Sequence, residues 1–591
     1  MENKKQAIVL SGVAIVALLA LIIGATFAYF RASSNNGSST DINVTTYTLD
    51  LLSFEMGGDI KINADQTSFA SGKGNATGST FAKAILTANN KTNTATKNYY
   101  MYLNISNNTF TYSQNTSTPE LLLTITDASG NAITSISGLT YKTVTDGKGA
   151  SISGFDITTK NGLVTLFDNR EITASPAKTE EWNITVTFVN YNVNQTGNAG
   201  KSFNAKLMIQ QEEYELPTLA EYVISQYTGT QGDNSLYYHN STLANGAGDN
   251  SYRYAGGDYQ VTSKATSAGL NYVITSSSSA TDGVVNMYCN GTKQYVGYYC
   301  SSTKYYTLQY DTTNTQYTTY IEALEKATTD GYLTKDNIKN FVCFGSDAST
   351  CPTDNLYRII GVIDGKIKLI KYDYATSALL GEDGDYSGTQ SPSYFTGYKG
   401  ALTTFNYYYW NGSGTNTWSE SNLNTTNLNT NFINNIGSTW ANKIATTTWK
   451  VGGNTYSNIY SKTPSVAYTN EITNPDATNS NDNATTYDAK IGLMYVSDYG
   501  FAAGPSAWTI TMGSYNNATA KSTNWMYMGY YDWTISRISD NSSNAFYVYR
   551  DGNVYYNYVL NYFGVRPSFN LESSITYVSG SGSMSDPVRI N

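Results

Sequence analysis

Trp182-Asn-Ile-Thr-Val-Thr-Phe188 and, one short loop later, Phe203-Asn-Ala-Lys-Leu-Met-Ile209 decide the first part of the chain. Apolar and polar residues alternate in both. Successive side chains of a strand point to opposite faces, so this alternation gives one apolar and one polar face, the signature of a half-buried antiparallel strand. Met101, Leu103 and Ile105 alternate with Tyr102 and Asn104 in the same way. Turn-forming stretches such as Ser129-Gly-Asn131 and the loop 192–200 separate the strands, and neither a cysteine nor a long helical pattern interrupts them. The expectation is an antiparallel β-sandwich over residues 43–212.

On the N-terminal side, residues 7–30 carry no charge and close with Gly24-Ala-Thr-Phe-Ala-Tyr-Phe30, while Lys4 and Lys5 precede them. The run is long enough to span a bilayer, for which roughly 20 apolar residues suffice. Its small residues also suit a signal-peptidase site. Residues 1–30 are therefore expected to be a signal peptide or an N-terminal membrane anchor, with both readings open. A flexible linker over 31–42 follows, and everything after Arg31 is extracytoplasmic.

Composition narrows the function. Charged residues make up 14% of the chain, against about 25% in ordinary domains. Tyr, of which there are 53, and abundant Asn, Ser and Thr take their place. Such side chains suit adaptable, wet contacts. The net charge of -9 and the lack of any basic stripe exclude nucleic acid as a partner. His239 is the single histidine and reads as a polar surface residue. Zinc sites built from several His, and nucleophile–His pairs away from this residue, are excluded. No enzyme activity, cofactor or metal is assigned.

The four cysteines fall as two local pairs, Cys289/Cys300 and Cys343/Cys351. An even count in an exported chain reads as disulfides. Neighbour pairing is the first expectation and crossed connectivity the alternative. Asn-x-Ser/Thr sequons recur, as at Asn104, Asn183 and Asn517, but a chain so rich in these residues makes them by chance.

Beyond the first domain, Glu215-Leu-Pro-Thr-Leu219 opens a short helix with Pro217 in its first turn, and residues 213–263 read as hinge helix and linker. Residues 264–340 read as a disulfide-containing insertion with a short helix over 320–327. Residues 341–591 form an α+β C-terminal domain. Asp364-Gly365 and Asp551-Gly552 mark hairpins. Leu428, Phe432, Ile436, Trp440 and Ile444 recur every four residues, a helix weakened by Gly437. Residues 494–499 and 525–538 look strand-like.

The leader ending Gly24-Ala-Thr-Phe-Ala-Tyr-Phe30, the Trp182–Phe188 strand, the loop containing Gln195 and the Lys201-Ser-Phe-Asn-Ala-Lys206 strand together resemble the TasA and camelysin family. Those are exported β-sandwich proteins of Gram-positive bacteria, some of which build biofilm fibres. The resemblance implies assembly by strand addition, with residues 41–52 either adding to a neighbour's sheet or serving as the first strand of their own. Leu356-Tyr-Arg-Ile-Ile-Gly361, Ile491-Gly-Leu-Met-Tyr-Val-Ser-Asp498, Trp533-x-x-Ser-Arg537 and Gly564-Val-Arg-Pro567 resemble an uncharacterised domain of surface proteins from low-GC Gram-positive bacteria, reaching back to Tyr252-Arg-Tyr254. More distantly, the late Trp-x-x-x-Arg and Gly-Val-Arg pieces are similar to the C-type-lectin-like fold of formylglycine-generating enzymes. Those enzymes need a late cysteine pair, and no cysteine follows Cys351, so that activity does not carry over.

Two groups of residues are candidates for a site. Trp525, Tyr531, Trp533, Tyr547, Tyr549 and Arg550 form an aromatic strip able to pack on sugar rings and bond hydroxyls, or else to fill a core. Glu382, Asp383 and Asp385, with Asn474-Pro-Asp476 and Asn481-Asp482, offer oxygens that suit Ca²⁺. The Asn-Pro-Asp stretch resembles the calcium-and-sugar loop of C-type lectins; the simpler reading is a solvated loop. Arg537 and Arg566 are expected to satisfy buried carbonyls or carboxylates. The functional expectation is a cell-surface protein acting in adhesion or matrix by binding a host or cell-surface glycan or protein. The alternative is a self-assembling fibre subunit.

Overall fold

The alternating strand Trp182–Phe188 lies at the centre of the first of two units. In the computed structural model, which describes residues 49–64, 72–89, 92–272, 283–335, 337–391, 396–476 and 484–591, the units are Met1–Glu215 and Leu216–Asn591. The protein is mainly β, with 38% of the described residues in strands against 17% in helices.

In chain order, the strands of the first unit are β1 (Leu51–Met56), β2 (Ile60–Asn63), β3 (Ala76–Thr87), β4 (Ala95–Asn108), β5 (Leu121–Asp127), β6 (Tyr141–Thr145), β7 (Ser151–Asp156), β8 (Gly162–Ala174), β9 (Ala177–Phe188) and β10 (Ser202–Gln210). They form two antiparallel sheets, ordered β1-β3-β9-β5-β7-β6 and β2-β10-β4-β8. Ile184 and Val186 of one sheet and Phe203, Leu207 and Ile209 of the other belong to one buried cluster, while Asn183 and Lys206 face out. The alternation in the sequence is therefore the alternation between core and solvent. Trp182 is tied into that core: its Nε1 donates to Tyr99 Oη (2.9 Å), which donates to Glu180 (2.8 Å). Residues 1–48, with the leader, the linker and most of the segment 41–52, lie outside the described residues. Of that segment only Leu51 and Leu52 are in a described strand, β1, at one edge of the larger sheet. Among the described residues no helix is long and apolar enough to cross a membrane.

In the second unit the stretch expected as hinge and linker supplies strands. β11 (Leu236–His239) and β12 (Ser251–Tyr254) pair with each other, and β12 pairs with strand Leu356–Ile363 through Arg253 and Gly361. That strand forms the Asp364-Gly365 hairpin with Lys366–Lys371, both turn residues having positive φ (49° and 72°). Strand Ser568–Asn570 continues the sheet, followed by Ile491–Gly492. The helix before β11 starts at Leu219, not Pro217. Thr218 caps it, accepting from the Glu221 amide (3.2 Å) while Glu221 reaches back to the Thr218 amide (2.8 Å).

The expected insertion 264–340 carries a three-stranded sheet and the helix Tyr320–Thr329, and its buried Met287, Tyr306, Tyr320 and Leu324 belong to the same cluster as the central sheet. The cysteines pair as neighbours, Cys289–Cys300 and Cys343–Cys351, each with Cα atoms 5.8 Å apart. Disulfides of this kind fit an oxidising compartment.

Two helical expectations change. The 428–444 helix runs from Leu423 to Asn435, breaks at Gly437 (φ 79°) and resumes over Ser438–Ala441. Residues 494–499, expected as strand, enter the helix Val496–Ala502, all of whose residues are buried. A helix buried all round has no polar face and hence no 3.6-residue period to read.

His239, expected at the surface, is fully buried at the end of β11 against Phe501 and Trp508 (ring centroids 4.9 and 5.1 Å). Its Nδ1 accepts from the Ala247 amide at 3.0 Å, which requires the neutral ring. Burial, reinforced by Arg253 and opposed by Asp249, holds it neutral down to about pH 3. The unfolded chain takes up this proton below about pH 6.5. Stability should then fall from about pH 6.5 toward pH 3, by about 1.4 kcal/mol per pH unit for this group. Urea midpoints at pH 7 and pH 5 check this: His239→Gln, which keeps an acceptor, should flatten the dependence. An unchanged slope would remove His239 as its source.

Candidate binding surface

The four sequence pieces that resemble the surface-protein domain meet in the interior. The Trp533 amide donates to Gly564 O (3.2 Å) and the Ile535 amide to Met494 O (3.0 Å). Arg566 donates to Asp532 (Nε, 2.6 Å) and to Met526 O (2.9 Å), and Arg537 Nε donates to Val451 O (3.0 Å). Both arginines thus satisfy buried acceptors. At the centre Asp498 accepts from Arg253 (3.1 Å) and Lys368 (2.6 Å) while its Oδ2 takes the Tyr495 amide (3.0 Å). Burial alone would raise its pKa, but the two cations outweigh that and hold it below the usual carboxylate range. These residues build the unit.

The aromatic strip divides in two. It lies around the sheet made of Asp532–Arg537, Asn544–Val548 and Val554–Tyr558. Trp525, Trp533 and Tyr547 are buried (2, 0 and 3% exposed). Trp533 Nε1 donates to Tyr408 O (3.0 Å) and Trp525 Nε1 to Tyr254 O (2.9 Å), so both indoles are held by carbonyls inside the fold. Their rings have no outer face on which a sugar could lie, and the expected ligand role is corrected for these three. Tyr531, Tyr549 and Arg550 remain half-buried and together. The Arg550 guanidinium lies over Tyr549 (4.8 Å), Tyr531 (5.6 Å) and Tyr299 (5.7 Å), bonds the Tyr531 hydroxyl and donates from Nε to Gly297 O (3.1 Å).

The exposed aromatic surface begins one strand further on. Val554–Tyr558 is the outer strand of the three, and on it and just after it Tyr555, Tyr558, Leu560 and Tyr562 are 40, 45, 38 and 50% exposed. Their neighbours are tyrosines too. Tyr562 meets Tyr407 and Tyr409 (5.5 and 6.1 Å), Tyr555 meets Tyr460 (5.7 Å), and Tyr556 meets Tyr456 (4.6 Å). Sequence reading missed this face. The signal was the run Tyr555-Tyr-Asn-Tyr558, but the exposure of its rings comes from the place of the strand at the edge of the sheet.

The acidic loop is built differently from expectation. Asp385 is buried, and its oxygens take the Gly412 and Leu423 amides (both 2.8 Å). Burial raises its pKa despite these bonds. It is a loop anchor, and the solvated reading holds only for the exposed Glu382 and Asp383. Asp476 accepts from Ser539 (3.2 Å), while Asn481 and Asp482 lie outside the described residues. Among the described residues no group of three or more His, Cys, Asp or Glu side chains converges as a metal site.

No protein-family model matches the chain, and no curated protein matches it.

Proposed function

We propose that the chain is an extracytoplasmic, cell-surface binding protein. Its second unit recognises a glycan or a protein surface through the tyrosine face around Tyr555, Tyr558 and Tyr562, with Arg550, Tyr549 and Tyr531 beside it. The observation that carries this reading is the exposure of Tyr555, Tyr558, Leu560 and Tyr562 along one outer strand, the turn after it and the short strand Tyr562–Phe563. Exposed aromatic surface of this kind marks interaction sites, and tyrosine gives large contact area at small entropic cost. The low charge and the two local disulfides are in keeping with an exported binder. In this reading the first unit is a β-sandwich of the TasA and camelysin type, the second is C-type-lectin-like, and no catalytic residue is assigned. One observation favours the second reading, a fibre subunit. β1 is an outer strand that exposes Leu51 and Met56, an edge open to strand addition.

The test is a glycan and mucin array with the full chain and a Tyr555→Ser/Tyr558→Ser/Tyr562→Ser variant. The expected result is binding by the parent and at least a tenfold loss in the variant, whose unfolding free energy should fall by less than about 1.5 kcal/mol, as for surface changes. A parent that binds nothing on the array, or a variant that binds as well as the parent, overturns the glycan reading and moves the weight to assembly through β1.

A further inference from the structure

A second site lies in the same unit, built from residues the tyrosine face does not use. Lys399 is buried, only 7% exposed, and its ammonium lies over the Tyr527 ring (5.2 Å) without an ion pair of its own. A ring face offsets only part of the hydration that burial removes, so an anion at this point would be favoured. Lys399 lines a small open cleft with Tyr259, Phe341, Tyr372, Trp525 and Met528 among its walls.

The charges around the cleft define what it accepts. Asp258, the acid in the lining, is already taken: both its oxygens are bonded by Arg358 (2.7 and 2.8 Å), whose guanidinium is stacked between Phe341 (4.4 Å) and Trp525 (4.5 Å). Asp258 still attracts Lys399 through space, but that closed pair leaves Lys399 and, in the lining beside it, Lys335 without an ion pair of their own. Burial lowers the Lys399 pKa to about 8, so it is still mostly charged at neutral pH. The walls are aromatic and thioether, so an inorganic anion would satisfy the charge and leave the rest of the cleft unfilled.

We infer that this cleft binds a carboxylate carried on an apolar or aromatic body, with the carboxylate on Lys399 and the body against the half-buried Tyr259 and Tyr372. Such a group is supplied by a free organic acid or by a peptide ending in an aromatic residue, and size favours the small acid. The Lys399 ammonium then gains an ion pair in addition to the Tyr527 ring.

Titration calorimetry on the full chain tests this with 3-phenylpropionate, its neutral amide, inorganic phosphate, and a tetrapeptide ending in Phe with a free or an amidated terminus. The expected result is one-to-one binding of 3-phenylpropionate, with the amide and phosphate each at least tenfold weaker. Lys399→Met, which keeps the length and removes the charge, should lose at least tenfold for the acid and little for the amide. Binding of the free-terminus peptide more tightly than the small acid would assign the carboxylate to a chain end and still support the site. Equal affinity for acid and amide, phosphate binding as tight as the acid, or no binding by any probe overturns the inference. The acid–amide comparison needs no variant, so the test stands even if Lys399→Met fails to fold.

Discussion

Asp498→Ala should abolish the folded second unit or lower its stability by about 3–5 kcal/mol, the range for removing one partner of a buried ion pair. Asp498 is only 3% exposed and holds two cations that are themselves buried, Arg253 and Lys368 (side chains 2 and 5% exposed). Removing it strands Lys368 and takes one of the two carboxylates from Arg253. Arg253 retains Asp249 (2.9 Å) and Ser251 (2.9 Å), so the sharper loss falls on Lys368. The tyrosine-rich wall at Tyr495 (ring 4.3 Å from Lys368 Nζ) cannot replace a carboxylate. Asp498 also caps the Tyr495 amide, so the start of helix Val496–Ala502 frays as well. Chemical denaturation of the full chain should show the transition of the second unit shifted or absent and that of the first unaltered. Lys368→Met combined with Asp498→Ala should recover part of the loss, because the stranded cation is gone. A single variant as stable as the parent would mean that water reaches these charges.

The second large effect is expected from Gly361→Ala. A Cβ at this position would lie 2.1 Å from Tyr252 O and 3.1 Å from Arg253 Cα, so strand Leu356–Ile363 cannot carry a side chain there and keep β12 beside it. The neighbour is backbone, not the end of a flexible side chain, and the strand must move. Overpacking of this kind costs about 1–3 kcal/mol. The total should exceed it here, because displacing β12 withdraws Arg253 from Asp498. Denaturation would measure the loss. Limited proteolysis should show new cleavage within residues 236–254. Resistance equal to the parent's would mean that the β12 pairing contributes little.

These two positions show what could and could not be read in the chain. The strands of the first unit were legible because each pairs with one face to a core, and β9 and β10 print that arrangement as strict alternation. Asp364-Gly365 was legible because only certain residues accept its turn. β11 and β12 were not, since their partner lies more than a hundred residues further on and a Gly- and Asn-rich stretch lies between them. Gly361 reads as a glycine in a strand, but what approaches it is a contact from that distant segment. The candidate surface failed in a similar way. Aromatic residues were correctly placed on the sheet near Asp551-Gly552, but Trp533 and Tyr547 are buried while Tyr555 and Tyr558, on its outer strand, are exposed. Alternation separates two faces but does not say which strand is outermost, and exposed Tyr555 lies directly opposite buried Tyr547. Lys399 had no signal at all, because its meaning lies in the ion pair it lacks.

The pairing of Arg253 with Asp498 spans 245 residues of chain, and that of Trp525 Nε1 with Tyr254 O spans 271. A polypeptide is made from its N-terminus, so Arg253 emerges just after Asp249 but long before Asp498, the second of its two carboxylate partners. β12 has to wait for its strand partner and then for its charge partner. Contacts this far apart in sequence make folding slow and leave strand edges open meanwhile. Local hairpins of the second unit can form early, but the charge cluster at its centre cannot close until residue 498 has been made. Its exposure to proteases and aggregation during synthesis is then set by the length of that interval as well as by the finished fold.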